Sequence, residues 1–240
     1  NTLRSKHRAL TEMAEHYEGY GFSVKKIMEL KKADNTKFKG IIGVVADIIS
    51  VEKEYETAME IALGGSVQHL VTDDENTAKK LIEYLKTNRF GRATFLPMTS
   101  IKSRETAKTL NKKEIGFIGY ASELLSYEKK YSNIIEHLVG RVVVADNIDN
   151  ALALAKKYNH TLKIVTLAGE LIHPGGSLTG GANKSNNSHL LSRKSDIDDY
   201  EKQIAEQDII LSKCKKELEM LEDLYNKENK NLETIRIKEH

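Results

Sequence analysis

Two shortages come before any pattern: this 240-residue sequence has one cysteine and two prolines, and it has no tryptophan. A lone cysteine, Cys214, cannot close an internal disulfide, so a reducing, cytoplasmic setting is expected. Scarce proline removes the commonest helix breaker, and with abundant Lys, Glu and Leu this predicts long helix. No apolar run is long enough to span a bilayer and the N-terminus has no signal-peptide pattern, so no membrane partner is expected. Net charge is +2, too small to argue nucleic-acid binding, so that case rests on local clusters. The chain opens on Asn1 without a Met and ends in a polar helical pattern, which reads as a piece of something longer.

What is present divides into three zones. In the C-terminal zone, 183–240, steps of seven from Ile197 land on Ile204, Leu211, Leu218, Tyr225 and Leu232, all apolar. The companion positions are Tyr200, Gln207, Cys214, Leu221, Glu228 and Ile235, mostly apolar too, so a coiled-coil seam is predicted. A helix of about 40 residues would run roughly 60 Å, longer than a small domain is wide. The N-terminal zone, 1–36, echoes it through Leu3, Leu10, Tyr17 and Val24, with Met13, Tyr20 and Ile27 as companions. Gly19 and Gly21 interrupt that helix and predict a break. Pairing the two helical zones with each other, antiparallel, is the simplest way to bury both seams; a parallel pairing of two chains is the rival.

The middle zone, 37–182, alternates helix and strand and predicts a mixed α/β domain. "GIIGVVADIISV" reads as one or two strands, "EYETAMEIAL" as a helix closed by Gly64 and Gly65, and "SVQHLV" as a strand. "DENTAKKLIEYLKTN" is a helix with Asp74 as N-cap, and "RATFLP" a strand. Further on come the helix "NIIEHLVG", the strand "RVVVAD", the helix "NIDNALALAKKY" and the strand "TLKIVTLAG". One theme is used twice: Gly65 recurs at Gly140 and Ala78 at Ala151, which suggests two related subdomains, about 37–110 and 111–182.

Catalytic chemistry finds little support. A phosphate-binding loop needs Gly-x4-Gly-Lys-Ser/Thr; Gly176 and Gly181 have the spacing, but Ala182 stands where Lys is required. The histidines, His173 among them, lack partners at ligand spacing, so no metal is expected. Asp73, Asp74 and Asp146 sit where strands turn into helices and read as caps. Ser66 lacks a nucleophile-elbow context. No catalytic residue and no cofactor are expected.

The glycine run "TLAGELIHPGGSLTGGANK" remains, with Gly169, Gly175, Gly176, Gly180 and Gly181. Glycine there serves either a turn or the close approach of another backbone at a sheet edge, and the residues alone leave both open. The spacing Gly-x6-Gly-x3-Gly-Gly in "GELIHPGGSLTGG" resembles the hinge signature of structural maintenance of chromosomes (SMC) proteins, of the bacterial homodimeric kind. "KGIIGVVADII", "YETAMEIALGGSVQHLV" and "GRATFLPMTSIK" support the resemblance across the middle zone. It implies a homodimer in which one subdomain of each chain meets the other subdomain of its partner. Gly169, Gly176, Leu178, Gly180 and Gly181 would lie in that contact. It further implies condensin-type chromosome condensation and segregation near the nucleoid, with the ATP-binding head and accessory subunits belonging to the longer protein.

Weak, non-specific DNA binding is the other implied role. The family's hinges bind DNA through basic residues near the junction with the coil; Lys184, Arg193 and Lys194 lie near that exit, and Lys184 matches the place best by position. Between Lys79 and Lys113 ten basic residues, Arg89, Arg92 and Lys102 among them, face only Glu83 and Glu105. Such contacts would be sequence-blind and salt-dependent; few aromatics interleave them, so base stacking is not indicated. A solvated basic face is the plainer reading of the window. The alternative to a hinge is a small α/β nucleotide-binding domain or enzyme with helical extensions.

Overall fold

The structure, a computed structural model, describes residues 2–34, 38–103, 110–111, 113–181 and 190–238. It divides into two units, one formed by 1–11 with 196–240 and the other by 12–195.

Helices α1 (Thr2–Glu15) and α2 (Phe22–Ala33) are separated at the predicted glycine break. Tyr17 and Gly19 take left-handed φ of 52° and 86° there, which ends the first helix. Two copies of one motif follow. The first contains β1 (Ile41–Val44), α3 (Val45–Ile48), β2 (Ile49–Val51), a 3-10 turn at Lys53–Tyr55, α4 (Glu56–Leu63), β3 (Leu70–Thr72), α5 (Glu75–Thr87) and β4 (Phe95–Pro97). The second contains β5 (Phe117–Tyr120), a 3-10 turn at Ala121–Glu123, β6 (Leu125–Tyr127), another at Lys129–Tyr131, α6 (Ser132–Val139), β7 (Val142–Ala145), α7 (Ile148–Lys157) and β8 (Lys163–Thr166). The hairpin β9 (Leu171–Ile172) and β10 (Leu178–Thr179) comes next, then α8 (Leu190–Lys238).

The copies share topology as well as order. β3 is antiparallel to β1 and parallel to β4; β7 is antiparallel to β5 and parallel to β8. The repeats meet where β2 and β6 pair antiparallel, with Ser50 opposite Ser126, inside the near-identical stretches "SVEKEY" and "SYEKKY". Equal positions in equal sequence facing each other define a local two-fold axis. Capping is duplicated too: Asp74 accepts from the Thr77 amide at 2.7 Å, and Asn147 from the Asn150 amide at 2.9 Å. The preceding Asp73 and Asp146 donate their amides to the carbonyls of Gly40 and Gly116. Those glycines are required by packing, since a Cβ on Gly40 would lie 2.6 Å from Asp73 Oδ1, and one on Gly116 2.3 Å from Asn150 Cβ.

Strands β3 and β7 are buried along their whole length and hold the core. One apolar cluster joins both repeats through Val44, Val71, Ile134, Ile135, Val144 and Val165, and reaches α2 at Ile27 and α8 at Leu190 and Leu191. Burying each such side chain contributes about 1.5–3 kcal/mol. "GIIGVVADIISV" gives two strands, with a helical turn between them that the pattern does not show. Two readings are corrected: "SVQHLV" opens as 3-10 helix (Gly64–Gln68) before β3, and β5 and β6 fall outside every strand the pattern predicts.

In the helical unit, Arg4 on α1 pairs with Asp208 on α8. Within the larger unit the Arg193 guanidinium donates to the Glu18 carbonyl at 2.7 Å and the Met13 carbonyl at 3.5 Å. Beyond the reach of α1 the seam residues are exposed, among them Leu211, Leu218, Leu221, Tyr225 and Leu232.

Candidate functional site

The glycine run folds as the β9–β10 hairpin, with Leu171 opposite Thr179 and Ile172 opposite Leu178. Its turn is closed by His173 N–H donating to the Ser177 carbonyl and Gly176 N–H to the His173 carbonyl, both at 2.9 Å. β10 is the outermost strand of the five-stranded sheet β10-β9-β8-β7-β5, and both its residues are exposed, Leu178 at 58%. At the margin of the other sheet, β1-β3-β4, lies β4 with Pro97, a residue suited to a strand edge because it has no N–H to offer.

The glycines separate by cause. Gly169, Gly175, Gly176 and Gly181 have φ of 93°, 90°, 92° and 121°, a region that L side chains rarely adopt. Backbone conformation accounts for all four, and at Gly169 and Gly176 a Cβ would also crowd Thr57, at 3.0 Å, and His160, at 3.3 Å. Gly180 differs: its φ lies outside that region, and a Cβ there would meet only Glu170, at Cγ 3.4 Å away, an ordinary contact. Among the described residues, neither conformation nor packing within the chain calls for glycine at this position on the open edge.

The basic residues also separate. Arg89, Arg92, Lys102 and Lys194 are exposed. Arg193 is 7% exposed with its guanidinium on two carbonyls, so it pins the chain and is withdrawn from the DNA set. Lys184 lies outside the described residues, as do Arg104, Lys108 and Lys112 of the basic window. Few aromatics interleave the basic window in sequence, and in the fold one of them is paired with a ring from α2. Phe22, 59% exposed, packs edge-on against Phe90, which lies between Arg89 and Arg92 in the chain, and Lys26 sits over both rings at 5.6 and 5.9 Å.

The start of α8 reveals residues the pattern reading passes over. The Glu60 carboxylate on α4 accepts from the backbone amides of Leu191 and Ser192, among the groups a helix start leaves unpaired. Burial, reinforced by the neighbouring Glu56, pushes the Glu60 pKa up to about 7. The Oε1 atoms of both glutamates are buried without a hydrogen-bond partner among the described residues. Asp47 is also raised by burial; its Oδ2 accepts from the Val44 amide, and Lys194 approaches its carbonyl at 3.4 Å. Glu60 is hidden in the sequence because it looks like an ordinary polar position on a helix, and Asp47 because it sits in a stretch that reads as strand.

The family model described as SMC proteins Flexible Hinge Domain matches residues 38–155. A curated relative, the chromosome partition protein Smc of Bacillus subtilis, is 44% identical over 207 residues, 85% of this chain and 17% of that protein. Its counterpart in Clostridium kluyveri is 40% identical over 201 residues, 83% of this chain and again 17% of the relative. The chain thus spans about a sixth of the length of these relatives. Among solved structures, an asymmetric dimer of the Geobacillus stearothermophilus SMC hinge domain matches at 38% identity and a TM-score of 0.76, over 88% of this chain and 84% of that one. The Pyrococcus furiosus SMC hinge domain matches at 28% identity and a TM-score of 0.54, over 74% and 88%.

Proposed function

The chain belongs to the SMC hinge family, and from that premise we propose that it joins two copies of itself at the ends of their coiled-coil arms. The observation that carries this reading is Gly180, on the outer edge at β10, a glycine for which the described residues supply no internal cause. Close approach of a second backbone supplies the missing cause. A two-fold pairing in which the β10 edge of each copy meets the first-repeat sheet of the other, ending at β4, uses both open margins twice and closes on itself. Gly169, Gly176, Leu178 and Gly181 belong to the same contact as neighbours that shape the edge.

Gly180→Leu tests this, because among the described residues a Cβ at this position makes only ordinary contacts, with Glu170. Light scattering at micromolar concentration should find a dimer for the parent and a folded monomer for the variant, with circular dichroism confirming that the variant keeps the parent's secondary structure. A variant that remains dimeric removes this edge from the interface.

We further propose sequence-independent DNA contact through Lys194, Lys184, Arg89, Arg92 and Lys102, within a longer chromosome-partition protein. That protein's ATP-binding head and condensin-type accessory subunits lie outside this chain. Exposure of Arg89, Arg92, Lys102 and Lys194 supports the set, and phosphate contacts of this kind weaken steeply with salt.

A further inference from the structure

A cavity of about 470 Å³ opens in the second repeat, lined by Lys102, Glu136, His137, Leu138, Arg141, Val142 and Lys163. Its volume is in the range of small-ligand sites. With three cations against one carboxylate, the lining carries net positive charge even with His137 neutral. Topology assembles it. Val142 and Lys163 open the parallel strands β7 and β8, while Glu136, His137 and Leu138 lie on α6. The segment carrying Lys102 is anchored on α6 by the Ser103 amide donating to Asn133 Oδ1 at 3.4 Å.

Lys163 is the unusual member. Half-buried, its ammonium donates to the Ala62 carbonyl at 3.1 Å, and burial lowers its pKa with no carboxylate among the described residues acting on it. Holding a cation in that state costs free energy that a nearby anion would offset.

The internal repeat adds an independent argument. Strand register makes Glu60 the counterpart of Glu136, Gln68 that of Arg141, and Thr94 that of Lys163. In the first repeat this seat is filled by the chain's own amides: Glu60 takes those of Leu191 and Ser192, and Gln68 Oε1 takes that of Gly21 at 2.8 Å. In the second repeat the same place is the cavity, and the neutral Gln68 and Thr94 are replaced by Arg141 and Lys163. A seat that receives N–H donors in one copy presents fixed cations in the other.

We propose that this cavity binds the phosphate group of a small phosphorylated molecule, held by Lys163, Arg141 and Lys102. It lies at the N-terminal ends of β7 and β8, opposite the strand ends where doubly wound folds bind nucleotides. Side-chain cations therefore replace the backbone amides of a phosphate loop, and no catalysis is implied. The site is independent of the arm-joining role.

Isothermal titration of the whole chain with inorganic phosphate, pyrophosphate and ATP, in parallel with a short DNA duplex, tests the proposal. Pyrophosphate or ATP should bind saturably, and Lys163→Met should weaken binding by at least ~10-fold, the scale of one charge-assisted hydrogen bond. Should Lys163→Met fail to fold, Arg141→Gln, at an exposed position, carries the same test. Absence of binding, or binding unchanged in both variants, overturns the site. So does weakening of duplex binding alone by these substitutions, because the cations would then belong to the DNA face.

Discussion

At the residue scale the most informative group is Glu60. A carboxylate accepting two amides would ordinarily have a lowered pKa, yet burial and the adjacent Glu56 win and raise it to about 7. The folded state therefore binds a proton that the unfolded state, with the ordinary value of 4.5, releases sooner. That contribution to stability is fully present below 4.5 and is lost as pH rises to about 7. Glu60→Gln should abolish this part of the pH dependence and leave the protein more stable than the parent above the window. Urea midpoints of both proteins on either side of the window give the comparison; parallel curves would show that Glu60 does not titrate there. Asp47, raised in the same direction, is common to both proteins and cancels in the difference.

At the element scale, helices are more legible than strands. α5 and α7 announce themselves by an apolar stripe, and α5 also by its cap at Asp74; at α7 the cap is Asn147, one residue past the Asp146 that the sequence favours, and Asp73 likewise stands one residue before the cap of α5. β5 and β6, "FIGY" and "LSY", are too short for a two-residue period to register, and a 3-10 turn separates them. Their partners in the first repeat are easier because "IIGVVADIIS" is dense in β-branched residues. The site is half legible: the glycine spacing marks the hairpin, but φ belongs to the fold, so spacing alone does not say which glycines serve turns and which an approach. Lys102, Arg141 and Lys163 are distant in sequence, and only the topology gathers them. Element burial also sorts mutations. Ile27 on α2 is fully buried, and Ile27→Ala should cost about 2–5 kcal/mol. Leu218 on α8 is 57% exposed, and Leu218→Lys should change the denaturation of the α/β unit by no more than about 0.5 kcal/mol. Chemical denaturation followed by circular dichroism distinguishes the two; equal losses would mean that the distal part of α8 is packed in solution.

At the scale of the whole molecule, pairing and DNA contact are separable in this arrangement. The proposed pairing edge is β10 with Gly180, whereas the exposed cations lie on α8 at Lys194 and around Arg89, Arg92 and Lys102. A dimer carries two copies of the basic face, so both can engage one long duplex, and the second engagement is effectively intramolecular. Each neutralised phosphate adds roughly −0.9 to the slope of log affinity against log salt. Gly180→Leu, by giving monomers, should therefore lower affinity for a long duplex and reduce that slope toward half. Lys194→Glu should lower the slope by the phosphates it no longer neutralises, while leaving the molecular mass that of a dimer. Fluorescence anisotropy across a salt series, read beside light scattering of the same samples, measures both quantities. If Gly180→Leu becomes monomeric with slope and affinity unchanged, the two faces do not act together on one duplex, and DNA contact is a property of the single chain.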